Sequence, residues 1–314
     1  MTDFDAPIRL YSAADGLGIV PYLIGFHPQD SVVTLLLHPG GRVIGCVRHD
    51  IDAPVAHIVA ELRQLIPQKN ITALAIVGYG PMSERGTLTQ IIDTLNADLP
   101  VTGQLLVSGH RYHCLRPGCD CTPADGTPFD PTATAAAATA TMQGKVALPS
   151  RDDLLALTDP DPAAQQRTRA AIDRLPGDNG APVVTELMGL AQRGIRLDDE
   201  QMAELAVALR HGPQREQAWL ATDGQTWQRD LWLDVTRRVP DSHVTRPAAL
   251  AAWCAWRRGE ETLALAALRR VQSADGLDLL AQLTLLLVRE HFDPRDLPWP
   301  LPAGTSLADL LQER

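Results

Sequence analysis

The sequence predicts an α/β N-terminal half built on a mixed sheet, followed by an all-α helical array or bundle. Three observations carry this. Apolar runs of strand length alternate with helix-period segments up to Ser108, a Cys/Pro/Gly-rich stretch fills residues 114–131, and strand signals stop after it. The expected domains are therefore 1–131, an α/β domain ending in that loop, and 132–314, an all-helical domain. A chain of 314 residues is long enough for two cores.

Taken in order, Ile8 to Leu10 is a short strand candidate, and Ser12 can cap a helix running through Leu17 and Tyr22 towards Gly25. Gly16, Gly18 and Pro21 oppose that helix. Ser31 to Leu37 reads as a buried strand, and the turn chemistry of His38 to Gly41 leads into a second strand from Arg42 to Arg48, giving a hairpin. Val55, Ile58, Val59, Leu62 and Ile66 follow helical spacing and predict a helix from Ala53 that stops at Pro67. Thr72 to Gly78, Leu88 to Leu95 and Val101 to Ser108 then read as strand, helix and strand. A hairpin and a strand–helix–strand unit together imply a mixed sheet.

Beyond the loop, the Ala-rich segment Thr132 to Met142 favours helix, and Ser150 with Asp152 and Asp153 opens another. Further helices are expected at 163–175, 183–193, 198–210, 214–222, 226–238, 247–258, 260–272 and 276–289, separated by Gly or Pro punctuation. Trp253, Trp256, Gly259, Ala264, Ala267 and Leu268 resemble the spacing of one tetratricopeptide hairpin. A solenoid needs about three such units, so this repeat-like stretch is read as helical-hairpin packing. All six tryptophans lie between Trp219 and Trp299, which concentrates aromatic burial in the C-terminal half.

A net charge of −10 and the absence of a basic run oppose a nucleic-acid footprint. No run approaches the ~18 apolar residues of a spanning helix, and the acidic opening MTDFDAPIRL does not read as a secretory signal. No membrane and a cytoplasmic location are expected. Five cysteines, an odd number, then oppose a disulfide framework in such a chain.

At LIGFHPQDSVV, residues 23–33, the sequence resembles an actinobacterial group, domain-of-unknown-function family 4192. The resemblance continues through the cysteine loop and DGTP at Asp125 to Pro128, the Ala-rich helix ending in Gly144, and SRDDLLAL from Ser150 to Leu157. It then reaches the Arg229–Asp230 pair and the Trp–Gly hairpin near Trp256. It thus covers nearly the whole chain and implies no activity, substrate or catalytic residue. One departure concerns the loop: where the family pattern carries two adjacent cysteines, Cys119 and Cys121 are split by Asp120.

The sharpest chemical feature is His110 to Cys114 followed by Cys119 and Cys121. Thiols and imidazole are the ligand types of tetrahedral zinc, so His113, Cys114, Cys119 and Cys121 form a candidate metal set. The C-x4-C-x-C spacing lacks the paired C-x2-C knuckles of a zinc finger, so thiol-redox chemistry and plain loop packing stay open beside it. A second candidate is Gly78 to Gly86, a glycine-bearing strand-to-helix turn that matches neither dinucleotide nor P-loop fingerprint. The third is His27, Asp30 and Ser31, a hydroxyl beside a carboxylate, which also reads as a turn closing before the strand. The paired acids Asp152/Asp153, Asp198/Asp199 and Glu260/Glu261 sit at helix starts, where capping explains them. The other histidines show no ligand spacing.

Three functions follow from this. The leading expectation is a non-catalytic interaction or regulatory module with a protein partner on the helical half. The alternatives are a structural zinc module at Cys114, Cys119 and Cys121, and a small-molecule enzyme with its site at the end of the α/β sheet. Whether the chain is an enzyme is left open by its sequence.

Overall fold

A computed structural model describes residues 12–68, 70–176, 183–271 and 278–301. The chain divides into two units, Met1–Asp153 and Leu154–Arg314. The strand candidate at Ile8 to Leu10 lies outside the described residues.

The first unit opens with α1 (Ala13–Ile24), where the Ser12 hydroxyl accepts the Asp15 N–H at 3.1 Å. It ends at Gly25, whose φ of 88° is the left-handed C-cap conformation. Gly16, Gly18 and Pro21 do not break it, and Gly18 has a packing reason: a Cβ there would overlap the Thr134 hydroxyl. β1 (Ser31–His38) and β2 (Arg42–Asp50) form the expected antiparallel hairpin, turning at Gly40 and Gly41. α2 (Val55–Gln68) runs through Pro67 instead of stopping before it. Proline in a last turn removes a single hydrogen bond with little helix left to disrupt.

β3 (Ala73–Tyr79) lies antiparallel to β1 and parallel to β4 (Val101–Ser108), with α3 (Arg85–Asn96) between them in the chain. Two short strands inside the Cys-rich region, β5 (Arg111–Cys114) and β6 (Thr127–Pro128), complete the order β2-β1-β3-β4-β5-β6. The sheet is mixed. Val32, Leu36, Leu74 and Ile76 on one sheet face share a core with Ile58 and Leu62 of α2 and Leu88, Ile91 and Leu95 of α3.

The Ala-rich helix α4 (Ala135–Met142) packs on α1, its N-cap Thr134 seated over Gly18. Strand pairing ends at Pro128, close to the expected change at 131, but α4 keeps the first unit going to Asp153. Small side chains let the two helices approach closely, and a bridge between Phe26 and Leu148 joins the segment after α4 to the same unit.

α5 (Arg151–Ala156) spans the division. There follow α6 (Pro162–Arg174), α7 (Val184–Gln192), α8 (Asp199–Ala208), α9 (Gly212–Leu220) and α10 (Thr226–Arg238). α11 (Thr245–Arg257), α12 (Glu261–Arg269) and α13 (Leu279–Arg289) complete the α-helices of the described residues. α6 packs on α8, while α11 meets α9, α10, α12 and α13 and is buried from Pro247 to Trp256. Burial all round makes it the central helix of a bundle. Gly259, with φ of 73°, turns the expected hairpin between α11 and α12.

Trp219, Trp232, Trp253 and Trp256 are fully buried. The Trp219 and Trp253 rings meet at 5.7 Å, Trp253 and Trp256 at 5.1 Å, and Trp299 covers Trp219 and Trp253 at 5.5 and 5.1 Å. Two of the indoles are anchored at one residue: Trp232 Nε1 donates to the Thr222 hydroxyl and Trp253 Nε1 to the Thr222 carbonyl. Among the described residues, no helix is long and apolar enough to cross a membrane.

Candidate functional site

The cysteine loop leaves β5 at Cys114 and returns to it. Leu115 is buried and its N–H donates to the Gln104 carbonyl at 2.9 Å, extending the β4–β5 edge by one residue. Arg116, Pro117, Gly118 and Cys119 then make a tight turn, with Cys119 N–H donating to the Arg116 carbonyl at 3.2 Å and Gly118 at φ of 69°. Proline followed by a glycine of positive φ is the chemistry of a type II turn. The reversal sends Cys119 and Cys121 back beside Cys114.

The return is fastened twice. Cys114 N–H donates to the Thr122 hydroxyl at 3.0 Å, and Arg111 of β5 pairs with Asp125 at 2.6 Å. Gly126, at φ of 81°, then enters β6. The three sulfur atoms lie within 4.8 Å of one another, with Cys114 and Cys119 half-buried and Cys121 exposed. All five cysteines of the chain are free thiols.

Proximity shifts these thiols apart. The Cys121 thiol donates to Cys119, and with the Cys121 N–H, the Cys114 thiol and the charge of Arg116 it holds the Cys119 thiol below its ordinary range. Cys121 is pushed up to about 12, first because its proton is shared with Cys119 and Cys114. The first proton is therefore lost more easily than from an isolated thiol, while removing the protons of all three is favoured by a bound cation. The cluster could hold a metal ion.

His113 does not join it. Successive strand residues face opposite ways, so His113 and Cys114 on β5 point to different faces. The His113 ring lies over Gly126, where a Cβ would come within 2.6 Å of Cε1. The expected ligand set of His113, Cys114, Cys119 and Cys121 is thus brought together in its three thiols only.

The other candidates take structural roles. A Cβ on Gly78 would overlap the Leu88 side chain, so that glycine lets α3 approach β3. A Cβ on Gly80 would stand 3.9 Å from Asp30 Oδ1, an acidic neighbour that disfavours phosphate. Ser31 is wholly buried. Its hydroxyl donates to the Gln29 carbonyl at 2.6 Å and accepts from Arg48 Nε at 2.9 Å, so its proton is committed to a backbone carbonyl and not to a base among the described residues. Asp198 caps α8, Asp153 pairs with the Ser150 hydroxyl, and Glu260 meets Arg229 and Arg258. Trp253 and Trp256 are core residues, as the concentration of tryptophan in this half leads one to expect.

One cluster escaped the sequence reading. His49 of β2 is 7% exposed and its Nε2 lies 3.1 Å from Glu61 Oε2, with His57 Nε2 at 3.8 Å from the same oxygen. The His57–Glu61 spacing of four on one helix is visible in the sequence. His49 comes from a separate element and only the hairpin's docking on α2 supplies it.

A family model described as Domain of unknown function (DUF4192) matches residues 14–295. No curated protein and no solved structure matches the chain.

Proposed function

We propose that this chain, which belongs to that family, is a metal-stabilised module in which Cys114, Cys119 and Cys121 hold a zinc ion. The observation that carries the reading is the convergence of three sulfur atoms within 4.8 Å, drawn from eight residues of chain by the Pro117–Gly118 turn. Thiolate donors favour soft or borderline metals, and sulfur-rich tetrahedral sites are typical of zinc. Hard cations such as magnesium or calcium would want oxygen ligands.

Three protein ligands satisfy three of zinc's four positions, leaving one for water or a group from elsewhere. The ion would clamp the far end of the loop to β5, where Thr122 and Arg111 already hold it. Metal bound only by the folded state adds its binding free energy to stability. Elemental analysis of freshly purified chain tests the reading. About one zinc per chain, lost on Cys119→Ser, is the expected result. Sub-stoichiometric zinc that is indifferent to Cys119→Ser ends the idea.

A further inference from the structure

We infer that a small pocket in the first unit binds a small monocarboxylate through Arg48 and Arg151. Phe26 forms an isolated parallel bridge with Leu148, where His27 N–H donates to the Leu148 carbonyl at 2.9 Å and Leu148 N–H to the Gly25 carbonyl at 2.8 Å. That bridge lays the segment before β1 alongside Ser150, Arg151 and Asp152. Between them is a cavity of about 120 Å³, lined by those three residues and by Phe26, His27, Gln29 and Arg48.

Arg48 is held in place for this. Its side chain is 16% exposed, its Nε donates to the Ser31 hydroxyl and its Nη2 meets Asp50 at 2.6 Å. Ser31 spends its own proton on the Gln29 carbonyl, which leaves its oxygen free to accept from Arg48. Ser31 is thus a positioning residue, and Nη1 of Arg48 makes no hydrogen bond among the described residues. Arg151 is half-buried and has neither ion pair nor hydrogen bond among the described residues. A fixed guanidinium and an uncommitted one in the same small pocket suit a planar anion, which accepts paired N–H donors.

Charge and size narrow the class. Arg48 already has Asp50 as its carboxylate partner, so Arg151 is the lining guanidinium without one and a single negative charge suits it, whereas a phosphate dianion would add repulsion against Asp152 and Asp50. The cavity is several times the space that one water needs, enough for an acetate-sized ligand.

The test is a titration of the full chain with sodium acetate, followed through the His27 ring resonances, at constant ionic strength. A saturable shift in the millimolar range is expected, weakened at least tenfold by Arg151→Met. Arg151→Lys, which keeps the charge and loses the fork, should fall between the two, and an unchanged melting temperature shows that both variants fold. Absence of saturation, equal affinity in Arg151→Met, or tighter binding of inorganic phosphate than of acetate would each overturn the proposal.

Discussion

Arg238 donates through Nη1 to Asp234 Oδ2 at 2.9 Å, one helical turn back along α10, with the arginine only 6% exposed. Its Nη2 meets Asp199 at 2.9 Å and its Nη1 also reaches the Leu197 carbonyl, so one guanidinium ties α10 to the start of α8. Burial pushes the Asp234 carboxyl up, but the hydrogen bonds from Arg196 and Arg238 outweigh it and hold the group below the usual carboxylate range. A depressed folded-state value stabilises above the unfolded pKa near 3.9 and is lost as pH falls through the folded one. Arg238→Met should cost about 1–3 kcal/mol at pH 7 by urea unfolding, because it removes the charged hydrogen bonds that join α10 to α8 while Asp234 keeps Arg196 and Asp199 keeps Arg167. Asp234→Asn should flatten the acid limb of the stability profile below about pH 4. An acid limb identical to that of the unmodified chain would show that this network does not set acid sensitivity.

A buried amide organises the turn before α10. Gln228, 2% exposed, accepts at Oε1 from the N–H groups of Asp223, Gly224 and Gln225, and donates from Nε2 to the Ala221 carbonyl. Gln228→Leu keeps the bulk and abandons all four bonds. Leaving buried backbone donors unpaired costs about 1–3 kcal/mol per group, and we expect about 3 kcal/mol in total because water can reach part of the turn. Chemical denaturation measures it, and a loss below about 0.5 kcal/mol would contradict the accounting.

Thiol reactivity should follow the asymmetry within the cysteine loop. In metal-free chain near neutral pH, iodoacetamide should modify Cys119 ahead of Cys121, although Cys121 is the more exposed. Cys254, buried behind Gln225 and raised by that burial, should react only on unfolding. Peptide mapping of a time course gives the order. Modification that simply tracks exposure would deny the electrostatic reading.

Gly78→Ala should be destabilising by about 1–3 kcal/mol, the range for overpacking, since the new methyl meets Leu88 between β3 and α3. Pairing it with Leu88→Ala should recover part of the loss in a double-mutant cycle. Additive effects would mean that the two residues do not share the space.

The regular elements of both units were legible because each follows a single period. β4 runs from Val101 to Ser108 as its apolar pattern indicates, and α10 matches the expected 226–238. β5 escaped because His110 to Cys114 draws attention as a set of ligand types, while only pairing with β4 reveals it as a strand. The thiol cluster was half legible: the residue types and the Pro–Gly turn are in the sequence, but the exclusion of His113 depends on which residues of the segment are extended. The pocket between His27 and Arg151 joins segments more than a hundred residues apart, and no local pattern reports the bridge at Leu148 that brings them together. The glycines of α1 argue against a helix by propensity, and they are tolerated because one of them makes room for a neighbour.

That room at Gly18 bears on how the molecule can be dissected. A fragment cut where the sheet ends would lose Thr134 and α4, and would turn the flank of α1 that carries Gly18 and Tyr22 towards solvent. Expression boundaries drawn after Asp153 keep that seam closed, whereas ones drawn at 131 invite aggregation of the truncated product.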